Sequence, residues 1–393
     1  MRDGWAETTL DGIAEYINGY PFKPADLGEV GLPVIRIKQL LDPNEPVDRT
    51  NTDTPDRCLL RDGDIVFSWS GTLAVRIWNR GPAKLNQHLF RVIEKKGVYK
   101  GIIPLILDHA IEELEEKSHG TTMKHITKQT LLPHKVLLPP LPEQKRIVDL
   151  ISSVDSYIEA LQQELESAKK SRNAVLHELL TAGGDDWVET TLGQEFEICK
   201  NGKNYKDGIS TEGLPISRIQ TIASGKIDLT KVGFGDFFLQ DAEGFLLEEG
   251  DILFSHINSL PHVGKVAIVQ HNHLPLIHGM NLLRMRFANS NDTNFMFYLM
   301  QNESMRDEIR SRAQVAVNQV SINISSIKTI KIVIPPLRTQ KEIASLICAW
   351  DNLIEECENN LNSSRNLRVG LLSELLSGEH EIPASYDKFM GAA

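Results

Sequence analysis

The chain has 393 residues, 41% of them hydrophobic and 24% charged, with a formal net charge of -11 at pH 7. That length supports two or three domains, each with its own core, and the composition is that of an ordinary globular protein rather than a fibrous or disordered one. The acidic balance disfavours indiscriminate nucleic-acid binding but leaves room for a local basic cleft.

No apolar run approaches the roughly 18 residues of a membrane span. The opening Met1-Arg2-Asp3-Gly4-Trp5 carries no apolar signal core, so a cytoplasmic location is expected. Cys58, Cys199, Cys348 and Cys357 lack metal-ligand spacing and read as core or seam residues of a reducing compartment. Residues 1–138 mix short β-rich runs with turns. Pro33-Val34-Ile35-Arg36-Ile37, Asp64-Ile65-Val66-Phe67-Ser68 and Val136-Leu137-Leu138 read as strands. Leu105 to Lys117 reads as a helix, with Leu105, Ile106, Ala110, Ile111 and Leu114 at helical spacing.

After Pro142 the pattern sharpens. Ile147, Ile151, Val154, Ile158, Leu161, Leu165, Ala168, Arg172, Val175 and Leu179 step by alternating fours and threes, the a/d seam of a coiled coil. Proline at a helix start removes an N–H that has no partner there, and Gly183-Gly184 end the run. From Pro142 to Leu180 such a helix extends about 58 Å. A first domain (1–138) followed by a helical spacer (139–184) is expected.

The chain then repeats itself. Trp5-Ala6-Glu7-Thr8-Thr9-Leu10 returns as Trp187-Val188-Glu189-Thr190-Thr191-Leu192, and Gly31-Leu32-Pro33-Val34 with Arg36-Ile37 returns as Gly213-Leu214-Pro215-Ile216 with Arg218-Ile219. Gly63-Asp64-Ile65-Val66-Phe67-Ser68 returns as Gly250-Asp251-Ile252-Leu253-Phe254-Ser255, and Pro139-Pro140-Leu141 with Gln144 as Pro335-Pro336-Leu337 with Gln340. A helix is expected over Phe295 to Arg312 in the place of Leu105–Lys117. The second heptad run, shifted by a constant 196 positions, is Ile343, Ile347, Trp350, Ile354, Cys357, Leu361, Ser364, Arg368, Leu371 and Leu375, closed by Gly378. Its arginine interruption matches that of the first run and reads as a register-setting position.

A period near 190 residues is too long for a solenoid, so each copy is a domain plus an accessory element. The second copy divides into a domain (185–334), a spacer (335–380) and a tail (381–393). The fold class expected is α+β: two pseudo-symmetric α+β domains, each followed by a long helix, the two helices pairing as an antiparallel coiled coil.

The order of these motifs and its repetition resemble the specificity subunit, HsdS, of type I DNA restriction–modification enzymes, over nearly the whole chain. The Trp-x-x-x-x-Leu openings, the Gly-Asp-Ile-Leu-Phe-Ser strands, the Pro-Pro-Leu-Pro-x-Gln helix starts and the closing Glu178-Leu179-Leu180 and Glu374-Leu375-Leu376 carry the likeness. The resemblance implies two target recognition domains, each reading half of a bipartite, asymmetric double-stranded DNA sequence, with the coiled coil setting their spacing. It also implies two methyltransferase subunits that bind S-adenosylmethionine, and restriction subunits that use ATP and Mg, with no catalysis and no cofactor in this chain. One departure is that Arg338-Thr339 stands where the first copy has Pro142-Glu143, which puts equal packing at the two docking surfaces in question.

The halves diverge in their loops, and different loops on one scaffold are where different half-sites are expected to be read. In the first domain these supply Asn18, Tyr20 and Lys23; Ser68, Trp69, Ser70 and Thr72; Asn86, Gln87 and His88; and Thr121, Thr122, Lys124 and His125. In the second they supply Lys200, Asn201, Lys203, Asn204 and Tyr205; His256, Asn258 and Ser259; His278 and Asn281; and Asn318, Gln319, Ser321 and Asn323. Amides can bond adenine bidentately, and lysine can contact guanine or phosphate, while hydroxyls fix register on phosphates. The same residue types also simply make turns.

Other signals are weaker. His271, His273 and His278 lack a cysteine or carboxylate at zinc spacing, so no metal is expected. Trp350 falls in the seam, and Lys169-Lys170 on a solvated flank. Pro55-Asp56 with Glu94-Lys95-Lys96 faintly echoes a Mg-dependent nuclease pattern, but the second half lacks it. No Walker loop is present, and Leu138 before Pro139-Pro140 offers no amide or carboxylate for a target amine. A coiled-coil scaffold, adaptor or inhibitor of a restriction complex, without sequence reading, is the alternative that the heptads alone allow.

Overall fold

The computed structural model describes residues 2–117, 128–204, 213–235, 239–316 and 319–390. It divides into two compact units, Met1–Gln162 with Asn359–Ala393, and Gln163–Glu358. The division cuts both long helices, Leu141–Thr181 and Leu337–Ser377, so each unit holds one globular domain and part of each helix. Among the described residues no helix is long and apolar enough to cross a membrane.

In the first unit a four-stranded antiparallel sheet runs in the order Ala14–Asn18, Leu89–Glu94, Ile65–Ser68, Ala74–Ile77. Successive residues of a strand face opposite sides. Ile65, Phe67, Phe90 and Val92 accordingly enter one core with Ile102, Ile103 and Ile106 of the helix Ile102–Lys117. Val66 and Leu89 enter another with Ile35, Leu60 and Leu85, residues of a second sheet ordered Arg49–Thr50, Leu32–Ile35, Ala83–Leu85, Leu59–Leu60. The strand expected over residues 33–37 stops at Ile35. The Arg36 N–H bonds the Gln39 side chain at 3.3 Å and a short helix begins at Ile37.

The second unit repeats the plan with the sheet order Phe196–Asn201, Leu283–Phe287, Ile252–Phe254, Val266–Ile268. The helix expected from Phe295 to Arg312 is two helices, Thr293–Gln301 and Glu303–Ser311. Asn302 between them is non-helical (φ -58, ψ 137) and its side chain accepts from the Ser304 N–H. Such a cap starts a new helix. Apolar periodicity runs on through Met305 and Ile309, both buried, which is why the sequence reads as one segment.

The repeated motifs hold this scaffold together. Gln144 is buried; its Nε2 donates to the Pro139 carbonyl (2.8 Å) and its Oε1 accepts from the Tyr99 N–H (2.7 Å). Gln340 does the same with the Pro335 carbonyl (2.9 Å) and the Asp292 N–H (2.9 Å). Each glutamine thereby ties the long helix to the segment leading into its domain's helix. Asp64 and Asp251 each accept a backbone N–H three residues back, from Arg61 (2.8 Å) and Glu248 (2.7 Å), and pair with Arg91 and Arg284 of the neighbouring strand.

Every a/d position of the heptads is buried or half-buried. Ile147, Ile151, Leu165, Ile343, Ile347 and Leu361 are buried; Val154, Ile158, Leu161, Trp350, Ile354 and Cys357 are half-buried. Within each unit the helix segments run antiparallel. In the first, Arg368 pairs with Asp155 and, through NH1, with Asp108 of the domain helix (3.1 Å). In the second, Arg172 pairs with Asp351 (2.9 Å) and reaches Gln301 (3.1 Å), while Tyr298 Oη donates to Asp351 (2.9 Å). The shift of 196 exchanges the two ion pairs, so the polar interruptions join helix to helix and helix to domain.

Residues beyond the second helix also pack on the first unit. Ile382 is buried in its core, Tyr386 donates to Asp149 (3.0 Å) and Asp387 pairs with Arg146 (2.6 Å). Glu143 binds the Trp5 indole N–H (3.1 Å) and Arg2 (2.9 Å), and Arg2 also pairs with Glu381 (2.9 Å). Thr339 has no carboxylate to offer Trp187, which is half-buried where Trp5 is buried. The departure seen in sequence is thus an ionic clasp present in one copy and missing from the other.

Candidate nucleic-acid interface

The strand register brings most of the divergent loops of each domain to one end of its four-stranded sheet. In the first domain Asn18 pairs with Phe90, and Ser68 with Leu89, so the loops leaving these strands lie side by side. Tyr20 makes a parallel bridge with Asn86; its N–H donates to the Leu85 carbonyl (2.7 Å) and its carbonyl accepts from the Gln87 N–H (3.1 Å). Asn18 Nδ2 donates to the Gln87 carbonyl (3.4 Å). The Trp69 ring lies 5.9 Å from His88 and stacks 5.6 Å over Phe90, and Tyr20 meets Phe22 edge-on at 4.9 Å.

Exposure sorts these candidates. Asn18, Lys23, Thr72 and Gln87 are exposed, and Tyr20, Trp69 and His88 are half-buried. Ser68, Ser70 and Asn86 are buried. Ser68 Oγ donates to the Thr72 carbonyl (2.7 Å), and Asn86 Oδ1 accepts from the His88 N–H (3.3 Å). Their polar groups are occupied in shaping the loops.

The second domain has the same construction with other side chains. Asn201 pairs with Leu283 and so does Phe254, which places the loops 201–204, 255–259 and 278–281 together. Lys203 bridges Gly279 as Tyr20 bridges Asn86, with its N–H on the His278 carbonyl (2.8 Å) and its carbonyl accepting from the Met280 N–H (3.0 Å). The approach is close. A Cβ on Gly19 would lie 2.3 Å from the Asn86 carbonyl oxygen, and one on Gly202 2.3 Å from that of Gly279, which is why both loops carry glycine there.

Lys200 donates to the Gly244 carbonyl (2.8 Å), and the Lys200 and Lys203 ammonium groups lie 5.8 and 5.4 Å from the Phe245 ring. Phe245 was not legible as a site residue, since nothing in the first copy marks it. The strand Ile257–Asn258 pairs with Gln319–Ser321, bringing a fourth loop to this end. Asn258 Nδ2 donates to Ser255 Oγ (3.1 Å), and the Ser259 N–H to Asn258 Oδ1 (2.8 Å). Asn201, Asn204, Ser259, Asn281, Gln319 and Asn323 are exposed and Ser321 is half-buried. Asn323 caps a short helix, accepting from the Ser326 N–H at 2.7 Å.

His256 and His278 are buried, and burial holds both imidazoles down at about 4, so they are neutral near pH 7. His278 Nε2 donates to the Leu282 carbonyl (2.9 Å). His273 Nδ1 accepts from the Gln270 N–H (3.0 Å) in a local turn, and no cluster of three metal-ligating side chains occurs among the described residues. Thr121, Thr122, Lys124, His125, Tyr205 and Asn318 lie outside the described residues.

Two copies of one α+β scaffold thus carry unlike loops at equivalent sheet ends, and the long helices carry ion pairs that the internal repeat exchanges. The chain belongs to the family described as type I restriction modification DNA specificity domain, which it matches twice, over residues 2–170 and 184–363. It is 38% identical over 195 residues to the MjaX specificity subunit of Methanocaldococcus jannaschii, a match spanning 49% of this chain and 46% of that one. To the type I restriction enzyme MjaVIII specificity subunit of the same organism it is 25% identical over 96% of this chain and 93% of the relative. The crystal structure of the type I restriction–modification S subunit from M. genitalium shares its fold, with a TM-score of 0.54 at 16% identity over 95% and 96% of the two chains. Members of this family are non-catalytic specificity subunits, and the likenesses favour neither the nuclease nor the adaptor reading.

Proposed function

We propose that each domain reads one half of a split, asymmetric DNA target through the loops at its sheet end. One observation carries this: the Tyr20–Asn86 and Lys203–Gly279 bridges are the same backbone construction, yet the side chains around them differ. Identical scaffolds with different polar groups suit different base sequences. Base reading is assigned to the accessible set, Asn18, Tyr20, Lys23, Trp69, Thr72, Gln87 and His88 in one domain and Asn201, Lys203, Asn204, Asn258, Ser259, Asn281, Gln319 and Ser321 in the other. The buried Ser68, Ser70, Asn86, His256 and His278 give the loops their shape.

The chain works in the cytoplasm with two methyltransferase subunits, which bind S-adenosylmethionine and flip and methylate an adenine. Restriction subunits using ATP and Mg complete the enzyme. The test is single-molecule sequencing of a methylation-deficient host carrying the neighbouring methyltransferase gene with and without this chain. A split adenine-methylated motif appearing only with the chain is expected. The same motif in both hosts would assign reading elsewhere and leave the adaptor role.

A further inference from the structure

Arg36 and Arg218 recur at equivalent places in the two domains, although the loops around them do not. Ile35, just before Arg36, accepts the Asn86 N–H (3.0 Å), and the Ile37 side chain lies 3.9 Å from where a Cβ on Gly71 would stand. The residues flanking Arg36 therefore meet the loops 68–72 and 86–88. In the second domain Ser217 Oγ accepts the Gly279 N–H (3.0 Å). Ile219 and Gln220 line a cleft of about 120 Å³ with Ser255, Asn258, His262 and Lys265, so the residues on either side of Arg218 meet the loops 255–259 and 278–281.

The backbone is pinned the same way in both. The Arg36 N–H bonds Gln39 Oε1 (3.3 Å), itself held by Nε2 on the Pro46 carbonyl (2.6 Å); the Arg218 N–H bonds Thr221 Oγ1 (2.9 Å), whose hydroxyl donates to the Lys231 carbonyl (2.8 Å). Arg36 NH1 pairs with Asp48, the two side chains being 36% and 48% exposed. An exposed pair of this kind is weak, so a phosphate can take the place of the carboxylate. Contacts to bases must differ between two half-sites, whereas contacts to phosphate carry no sequence information and can be the same. Guanidinium suits phosphate oxygens in a bidentate manner.

We infer that Arg36 and Arg218 are phosphate anchors, one per domain, holding the DNA backbone at the sheet end while the adjacent loops read bases. The inference rests on the DNA-reading role proposed above. It is tested on the complex assembled with its methyltransferase subunits, by fluorescence anisotropy over a salt series, with a duplex bearing the split motif and a scrambled one. R36Q and R218Q are each expected to weaken both duplexes by the same factor and to reduce the slope of log K against log salt by about 0.9. The methylated motif should stay unchanged, and R36K and R218K should keep the wild-type slope. A loss confined to the motif duplex, with one base position relaxed, would make these residues base readers. An unchanged slope with a lowered melting temperature, or Lys variants that lose the slope as Gln does, would make them structural. A wild-type complex that binds both duplexes equally overturns the reading role while the salt slopes still judge the anchors; one that binds no DNA overturns both.

Discussion

Asp64 and Asp251 occupy the same motif position, yet their removal should cost very different amounts. Asp251 is wholly buried, with Arg284 Nε 2.8 Å from Oδ2 and Arg286 Nε 2.8 Å from Oδ1, and Arg284 is only 4% exposed. Asp251→Ala leaves that guanidinium buried with the Leu246 carbonyl (2.8 Å) and the exposed Glu248 (3.1 Å) as its remaining partners. Breaking a buried pair from one side costs about 3–5 kcal/mol. Asp64 pairs with one arginine, Arg91, at 3.0 Å, with side-chain exposures of 13% and 17%. Water can reach both groups once the partner is gone, so Asp64→Ala should cost about 1–2 kcal/mol. Hydrogen exchange read by mass spectrometry on the strands Leu89–Glu94 and Leu283–Phe287 measures each domain in the same chain. Equal losses of protection, or the larger loss in the first domain, would refute the argument from burial.

Two further outcomes are expected. His256 and His278 have folded values of about 4 against an ordinary 6.5; the unfolded chain therefore binds more protons between these values, and stability falls as pH drops through that window. Each histidine contributes a slope of at most about 1.4 kcal/mol per pH unit. Urea titrations from pH 7.5 to 4.5 should show this loss in the second domain and a shallower one in His278→Gln; an identical slope in the variant would count against the assignment. Gly19→Ala or Gly202→Ala places a methyl group against a backbone carbonyl at 2.3 Å, which must push the bridge apart at about 1–3 kcal/mol. The methylome should then relax in only the half of the motif read by the altered domain, and relaxation in both halves would contradict separate readers.

What the sequence made legible is the part that packing repeats. The heptads, the Gly-Asp strands and the Pro-Pro-Leu helix starts each serve a scaffold task performed twice, so duplication exposes them. Ser68, Asn86 and His278 were harder, because a polar loop residue that satisfies its own backbone has the composition of one that faces a ligand. What separates the two cases is burial, which depends on contacts between segments distant in sequence, such as Tyr20 with Asn86. The break at Asn302 was hidden by apolar spacing that continues across it. The packing of Ile382, Tyr386 and Asp387 on the first unit had no periodic signature at all.

The division of the chain bears on the order in which it folds during synthesis. Domains normally fold as they emerge, the earlier before the later. Here the first unit keeps part of its core, Leu372, Leu375, Leu376 and Ile382, in residues made only after Gln163–Glu358 is finished. The second unit is one continuous segment. On the ribosome the later half is therefore the first that can close its core, and the earlier half must wait for the translation machinery to deliver its missing wall.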